Sequence, residues 1–305
     1  MNADSRSARA GVLYALGAYG WWGFVGPLYF RSVDWIPAWV IASHRVFWSI
    51  AVLAVLVVLG GQLPQVAAAL AKPRIRAWLL LTTVLLGINW FVFIVAVASH
   101  RLVESSIGYF ISPLVTVMLG VIFLRERLRR AQVAAVLIAG AGLVVLAISR
   151  EVAAQGFPWI PIVLPLSFGA YGLVRKQLAV APLAGLAIET ALLAIPGAIA
   201  VAWFHSVSSI DRINDGGTWL LLSLSGVVTT LPMLWFVAAA KRLTLTTLGF
   251  LQFLSPALQL LVAVMLFGEP FTPGIAAALL LIAAGVTIDL AVTTRRTLAA
   301  RGVVP

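Results

Sequence analysis

Apolar residues run through this chain in long blocks separated by short polar segments. A bilayer's hydrocarbon core is about 30 Å thick and a helix rises about 1.5 Å per residue, so about 20 apolar residues suffice to cross it. Read with a window of about 19 residues, ten blocks reach that length. The first half holds residues 10–30, 35–59, 77–98, 103–124 and 131–148, and the second holds 157–174, 183–204, 218–240, 243–267 and 271–292. The pattern predicts an all-α polytopic membrane protein with ten transmembrane helices. The longest connections are residues 60–76 and 205–217.

The two halves repeat one another. Ser105 to Pro113 reads Ser-Ser-Ile-Gly-Tyr-Phe-Ile-Ser-Pro and precedes Glu126, while Thr246 to Pro256 reads Thr-Thr-Leu-Gly-Phe-Leu-Gln-Phe-Leu-Ser-Pro and precedes Glu269. Pro113 and Pro256, Glu126 and Glu269, and Gly142 and Gly285 are each 143 residues apart; Gly108 and Gly249 are 141 apart. Five spans per half is an odd number, so the halves should lie upside down relative to one another. The expected organisation is two inverted five-helix repeats, residues 1–152 and 153–305, forming one transmembrane domain.

Composition agrees: 62% of residues are hydrophobic and 10% charged, with a mean hydropathy of +1.06. The net charge of +11 raises the question of nucleic acid, and its placement answers it. With the amino terminus inside, interior segments carry 16 Lys and Arg and exterior loops only Arg31, Arg101, Arg150 and Arg212, with Arg45 left inside a span. The positive-inside rule then puts both termini in the cytoplasm. The cations orient the chain and offer contacts to anionic lipid headgroups, and a nucleic-acid partner gains no support. Arg6 and Arg9 precede an apolar run too long for a signal-peptide core, so the first block is read as a retained span. Cysteine is absent and the three histidines are scattered, which removes disulfides, thiolate chemistry and an obvious zinc site. No cofactor is expected: the phosphate-cradling Gly-x-x-x-x-Gly-Lys-Ser/Thr pattern is missing, so ATP does not drive the protein directly.

The paired Ser-Pro, the apolar helix after it, Glu126 or Glu269, and the small-residue helix that follows resemble the repeated unit of EamA-type members of the drug/metabolite transporter superfamily. The stretches His44 to Ser49, Ser167 to Lys176, Leu248 to Pro256 and Phe267 to Pro270 are similar to its RarD branch. The resemblance implies ten helices in inverted repeats, residence in a bacterial inner (plasma) membrane, and export or exchange of a small metabolite through a central cavity. It names no cargo, coupling ion or oligomeric state. One departure is visible: the family's glycine before the glutamate is Gly268 in the second repeat and Arg125 in the first.

Several residues carry candidate chemistry. Arg45 sits about ten residues into its span, where a guanidinium costs about 2.5–3.5 kcal/mol; it is either an anion-binding or gating group or a packing lock, with Glu189 of the seventh span as the suggested counter-ion. Glu126 and Glu269 are expected to cap the start of the helix that follows each. Pro113 and Pro256 deprive the carbonyls of Tyr109 and Gln252 of helical partners, so matched kinks are expected in both repeats. Around them Ser105, Tyr109 and Ser112, and Gln252, Ser255 and Gln259, each share a helix face. We therefore expect Tyr109, Ser112, Gln252 and Ser255 to line a substrate cavity, with Asn89, Trp22, Tyr171 and Trp235 as further wall residues; interhelical hydrogen bonding and aromatic packing are the bland alternatives. Gly17, Gly20, Gly23 and Gly26 are expected to let neighbouring helices approach. Trp35, Trp39, Trp159 and Trp219 are assigned to interfacial belts.

The combined reading is a secondary transporter working by alternating access. An uncoupled facilitator is the alternative, and a receptor or assembly protein without flux is less supported. An intramembrane hydrolase is weak because Ser43 and His44, sequence neighbours, project to different helix faces.

Overall fold

The computed structural model describes residues 3–99, 101–128, 130, 132–134, 136, 137, 140, 159–207 and 215–268. Every regular element among them is helical: α1 (Ala3–Gly20), a π-helical turn (Trp21–Val25), α2 (Gly26–Ser32), α3 (Ala38–Leu59), α4 (Leu63–Ala71), α5 (Pro73–Ala98), α6 (Leu102–Leu124), α7 (Ile160–Gln177), α8 (Pro182–Val207), α9 (Gly216–Ala240), α10 (Leu245–Gln252) and α11 (Leu254–Phe267). Among the described residues, five stretches are long and apolar enough to cross a membrane: Trp39–Leu59, Pro73–Phe93, Pro182–Ile199, Gly216–Ala240 and Leu245–Phe267. They coincide with the second, third, seventh, eighth and ninth apolar blocks. The first, fourth and sixth blocks are helical too, whereas most of the fifth and all of the tenth lie outside the described residues, as do Gly142, Glu269 and Gly285.

The sequence reading left residues 60–76 as a connection, but they contain α4. Pro64 stands in its first turn, where a missing N–H goes unnoticed and a fixed φ favours the helix. The two matched prolines sit differently in their copies. Helix α6 runs unbroken through Pro113, while the second copy is interrupted at Phe253 and Pro256 falls in the first turn of α11. Around Pro113, side chains serve the backbone: Ser112 Oγ donates to the Gly108 carbonyl at 3.0 Å and Thr116 Oγ1 to the Ser112 carbonyl at 2.9 Å.

The helices close into a ring. The most extensive contacts place α9 between α1 and α3, α8 between α3 and α5, and α7 between α5 and α6; α10 packs on α6, and α11 returns to the π-helical turn. Helices α1, α3, α5 and α6 are thus each flanked by helices from the second half. Exchanging the halves element for element maps these neighbour relations onto one another, and the two duplicated helices, α6 and α10, pack directly together. Two glycines set the spacing. A methyl group at Gly249 would lie 2.7 Å from the Pro113 carbonyl oxygen, and one at Gly23 would lie 2.8 Å from the Ser255 carbonyl oxygen. The expectation for a run of four spacing glycines holds only in part, because at Gly20 and Gly26 no neighbouring helix comes close. Outward, Leu13, Phe47, Leu59, Phe91, Ile195 and Met265 are exposed, an apolar perimeter suited to hydrocarbon.

Helix ends are capped across the structure. The Glu126 carboxylate accepts from the backbone N–H groups of Leu245 and Thr246, each at 2.8 Å, and from Thr246 Oγ1 at 2.7 Å. It is a cap for α10 in the other half; much of the helix that follows Glu126 lies outside the described residues. The turn that delivers it is left-handed: Arg125 has φ 54°, and its counterpart Gly268 has φ 67°. The first copy therefore forces an arginine into a conformation that costs an L-residue about 1–2 kcal/mol. At another edge, Lys176 Nζ donates to the carbonyls of Ala240, at 3.1 Å, and Leu243, while Lys241 Nζ donates to that of Leu178 at 2.7 Å. Each lysine covers the carbonyl end of the other's helix.

Two outcomes follow. Glu126→Ala should lower the melting temperature of purified protein by the equivalent of about 2 kcal/mol, the scale of a charge-assisted cap. Burial, with Arg175 and Arg242 nearby, holds the Lys241 ammonium down to about 8 from the ordinary lysine value of 10.5. Between those values the unfolded chain binds the extra proton, so the contribution of Lys241 to stability rises with pH through that window. Melting curves at pH 7 and pH 10 should show wild type gaining on Lys241→Met; an unchanged difference would contradict this assignment.

Candidate functional site

A cavity of about 270 Å³ lies inside the ring. Nearly every wall helix contributes to it. Tyr19 and Trp22 come from α1 and the π-helical turn, Phe30 from α2, and Arg45 from α3; Asn89, Trp90 and Phe93 come from α5, and Ser105, Tyr109 and Ser112 from α6. Across from them stand Phe168 of α7, Thr229 and Met233 of α9, Gln252 of α10, and Ser255, Pro256 and Gln259 of α11. Six of the eight wall residues named from sequence, Tyr109, Ser112, Gln252, Ser255, Asn89 and Trp22, are therefore brought to one space.

The other two are elsewhere. Trp235 packs edge-on against Trp21 at 5.9 Å and fills the space above Gly17, where a methyl group would meet its ring at 3.1 Å. Tyr171 is fully buried, stacked against Phe168 and Phe236 with ring centres 6.3 Å from each, and its hydroxyl donates to Glu189 Oε2 at 3.1 Å. Neither ring is in the cavity lining, because the aromatic core between α1, α7 and α9 absorbs both.

The buried charges also pair differently from the suggested Arg45–Glu189 contact. Arg45 donates through Nε to Thr229 Oγ1 at 2.9 Å, and its guanidinium carbon lies 5.4 Å from the Phe30 ring centre and 5.3 Å from that of Trp90, within cation–π range. Glu189 instead faces Arg175, with Nε to Oε1 at 3.5 Å and both side chains wholly buried, and it accepts from Thr82 Oγ1 at 2.5 Å. Arg175 also donates to the Pro182 carbonyl at 3.2 Å. Its seat exists because residue 185 is glycine: a methyl group there would collide with the guanidinium. In sequence Arg175 looked like one more loop cation. The available signal was its place four residues after Tyr171, on the same face of one helix.

Polar side chains around the cavity are tied to backbone and to each other. Asn89 Nδ2 donates to the Leu164 carbonyl at 2.9 Å and to Ser167 Oγ at 3.1 Å. Thr116 Oγ1 and Gln252 Oε1 are joined at 3.1 Å, and Gln259 Nε2 donates to the Trp22 carbonyl at 3.2 Å within the π-helical turn. The wider π turn replaces α-helical pairing there, a geometry that recurs at functional sites.

This architecture has relatives. The EamA-like transporter family matches the sequence twice, over residues 9–148 and 156–290. The chain belongs to that family. A Vibrio cholerae protein described as an uncharacterized transporter is 41% identical over 286 residues, covering 92% of each chain. Protein RarD of Salmonella typhi is 40% identical over 301 residues, covering 96% of this chain and 99% of its own. A solved crystal structure with 20% identity superposes with a TM-score of 0.72 over 94% of this chain and 98% of its own, a likeness of fold. The protein is thus a multi-pass membrane transporter of the EamA-like family, in its RarD branch.

The Arg175–Glu189 pair yields a double-mutant test. Arg175→Met or Glu189→Leu alone strands a buried charge and should destabilise the protein by about 3–5 kcal/mol, while the double variant recovers most of that loss. Thermal melts of the four proteins check this, and additive losses would show that the pair is not coupled.

Proposed function

We propose that this EamA-like protein is a secondary transporter that exports or exchanges a small metabolite by alternating access, with ten spans in two inverted five-helix repeats (residues 1–152 and 153–305) and both termini in the cytoplasm of an inner (plasma) membrane. The observation that carries the reading is the cavity: its wall is drawn from both halves and includes the Arg45 guanidinium, a charge that is costly at this depth. Tyr109, Ser112, Gln252, Ser255, Asn89 and Trp22 are its substrate-facing residues, and membrane lipids are its surroundings. Further support comes from the exchange symmetry of the helix contacts and from the placement of charge, which favours the cytoplasmic side by 16 to 4.

The interruption at Phe253 supplies a hinge. Because α10 and α11 are separate helices joined beside the cavity, a change in their angle opens or closes the wall without unpacking α6 from α10. Gly23 against Ser255 forms the matching contact on the first half.

The natural lack of cysteine makes the test clean. Single cysteines at 109 and 252, reconstituted in oriented vesicles, should react with an impermeant thiol reagent from one side or the other, with the balance shifted by substrate. Counterflow of radiolabelled metabolites should exceed that of protein-free liposomes. Labelling from neither side under any condition, together with no counterflow across the panel, would sink the transport reading of this cavity.

A further inference from the structure

Arg45 is the one charged residue among the described residues lining the cavity. Of its three guanidinium nitrogens, Nε is occupied by Thr229 Oγ1, and among the described residues the two terminal nitrogens have no carboxylate partner. Three acidic side chains have partners elsewhere: Glu189 in Arg175, Glu126 in the start of α10, and Asp34 in Arg31. The guanidinium carbon also lies over the rings of Phe30 and Trp90, which hold it in place. A cation anchored by two rings and one hydroxyl, with terminal nitrogens that meet no carboxylate among the described residues, is a receptor for an oxyanion.

The rest of the wall describes what that anion is attached to. Tyr19, Trp22, Phe93, Tyr109 and Phe168 surround the space with rings. Polar groups are few and partly committed: Asn89 Nδ2 serves Leu164 and Ser167, and Gln259 Nε2 serves Trp22. The Gln252 amide is in contact with Thr116 Oγ1 at 3.1 Å. At about 270 Å³ the space stands just below the usual range for ligand sites, roughly 300–1,000 Å³, which suits one ring with a short arm. A dianion such as a phosphate monoester would bring two charges to a single cation.

We propose that the cavity selects a small organic monocarboxylate with an aromatic or comparably apolar body, the carboxylate on Arg45 and the body among the rings. This rests on the transport reading above, and narrows it to a substrate class. An added ammonium is unwelcome, because the described lining offers no carboxylate to receive it. Amino acids should therefore bind less well than their deaminated counterparts.

The test uses the full chain in lipid nanodiscs and four probes of nearly one shape: 3-phenylpropanoate, 3-phenylpropanamide, 3-phenylpropylamine and phenylalanine. Titration calorimetry should rank the carboxylate first, by about tenfold or more over the amide and the amine, the scale of a charge-assisted hydrogen bond. Arg45→Gln should remove that preference while changing amide binding by less than about threefold. Arg45→Lys, which keeps the charge and loses the fork, should fall between. The head-group ranking needs no variant, so the proposal stays exposed even if Arg45 substitutions fail to fold. Equal or tighter binding of the amine, the amide or phenylalanine, no binding by any of the four, or a carboxylate preference that survives Arg45→Gln would each overturn it. Protein-dependent counterflow of the same probes separates the two readings. Counterflow of the amine alone leaves a transporter of another class, whereas tight carboxylate binding without counterflow upholds the site and removes the transport reading.

Discussion

In an apolar surround no water is available to complete a hydrogen bond, so each polar group carried inside must meet its partner within the protein. In this chain many of those partners come from the other half. Arg45 reaches Thr229, Asn89 the Leu164 carbonyl, and Thr82 Glu189. Trp21 reaches the Val228 carbonyl, Tyr29 that of Leu221, and Gln259 that of Trp22. Neither repeat is self-sufficient in polar partners, and the interleaved ring is the arrangement that satisfies both.

That dependence explains why the cavity has the character it does. Where helices meet closely, glycines such as Gly249 and Gly23 bring backbones together and leave no room for a ligand. Beside them, aromatic rings and polar side chains border a space whose lining includes Trp22 of the π-helical turn and Gln252 and Ser255 on either side of Phe253. Irregular backbone at such a depth is tolerated where it lines a cavity or is buried in protein. The two irregularities thus occur where transport would require movement.

The two buried arginines have opposite surroundings, which separates structural from receptive charge. Arg175 has a carboxylate, a carbonyl and a glycine-cleared seat, so its charge is consumed in joining α7 to α8, with Thr82 of α5 completing the cluster. Arg45 has aromatic faces and one hydroxyl, so much of its binding capacity is unspent. Pairing Arg45 with Glu189 by depth alone was reasonable, but depth does not specify azimuth, and Glu189 turns toward Tyr171 and Arg175 instead.

The sequence by itself determined the helical class, the apolar segments, the duplication and the family, because each depends on local length, hydropathy or repeated spelling. It also singled out Tyr109, Ser112, Gln252 and Ser255, since i, i+3, i+4 and i+7 spacing fixes which residues share a helix face. Only the tertiary structure decided which face meets which neighbour. It sent Tyr171 and Trp235 into the aromatic core, turned Glu126 toward α10, kept α6 continuous at Pro113, and assigned Glu189 to Arg175. The physical reason is that helical periodicity specifies rotation within one helix, whereas partners, caps and cavities depend on the rotation of each helix against others more than a hundred residues away in the chain.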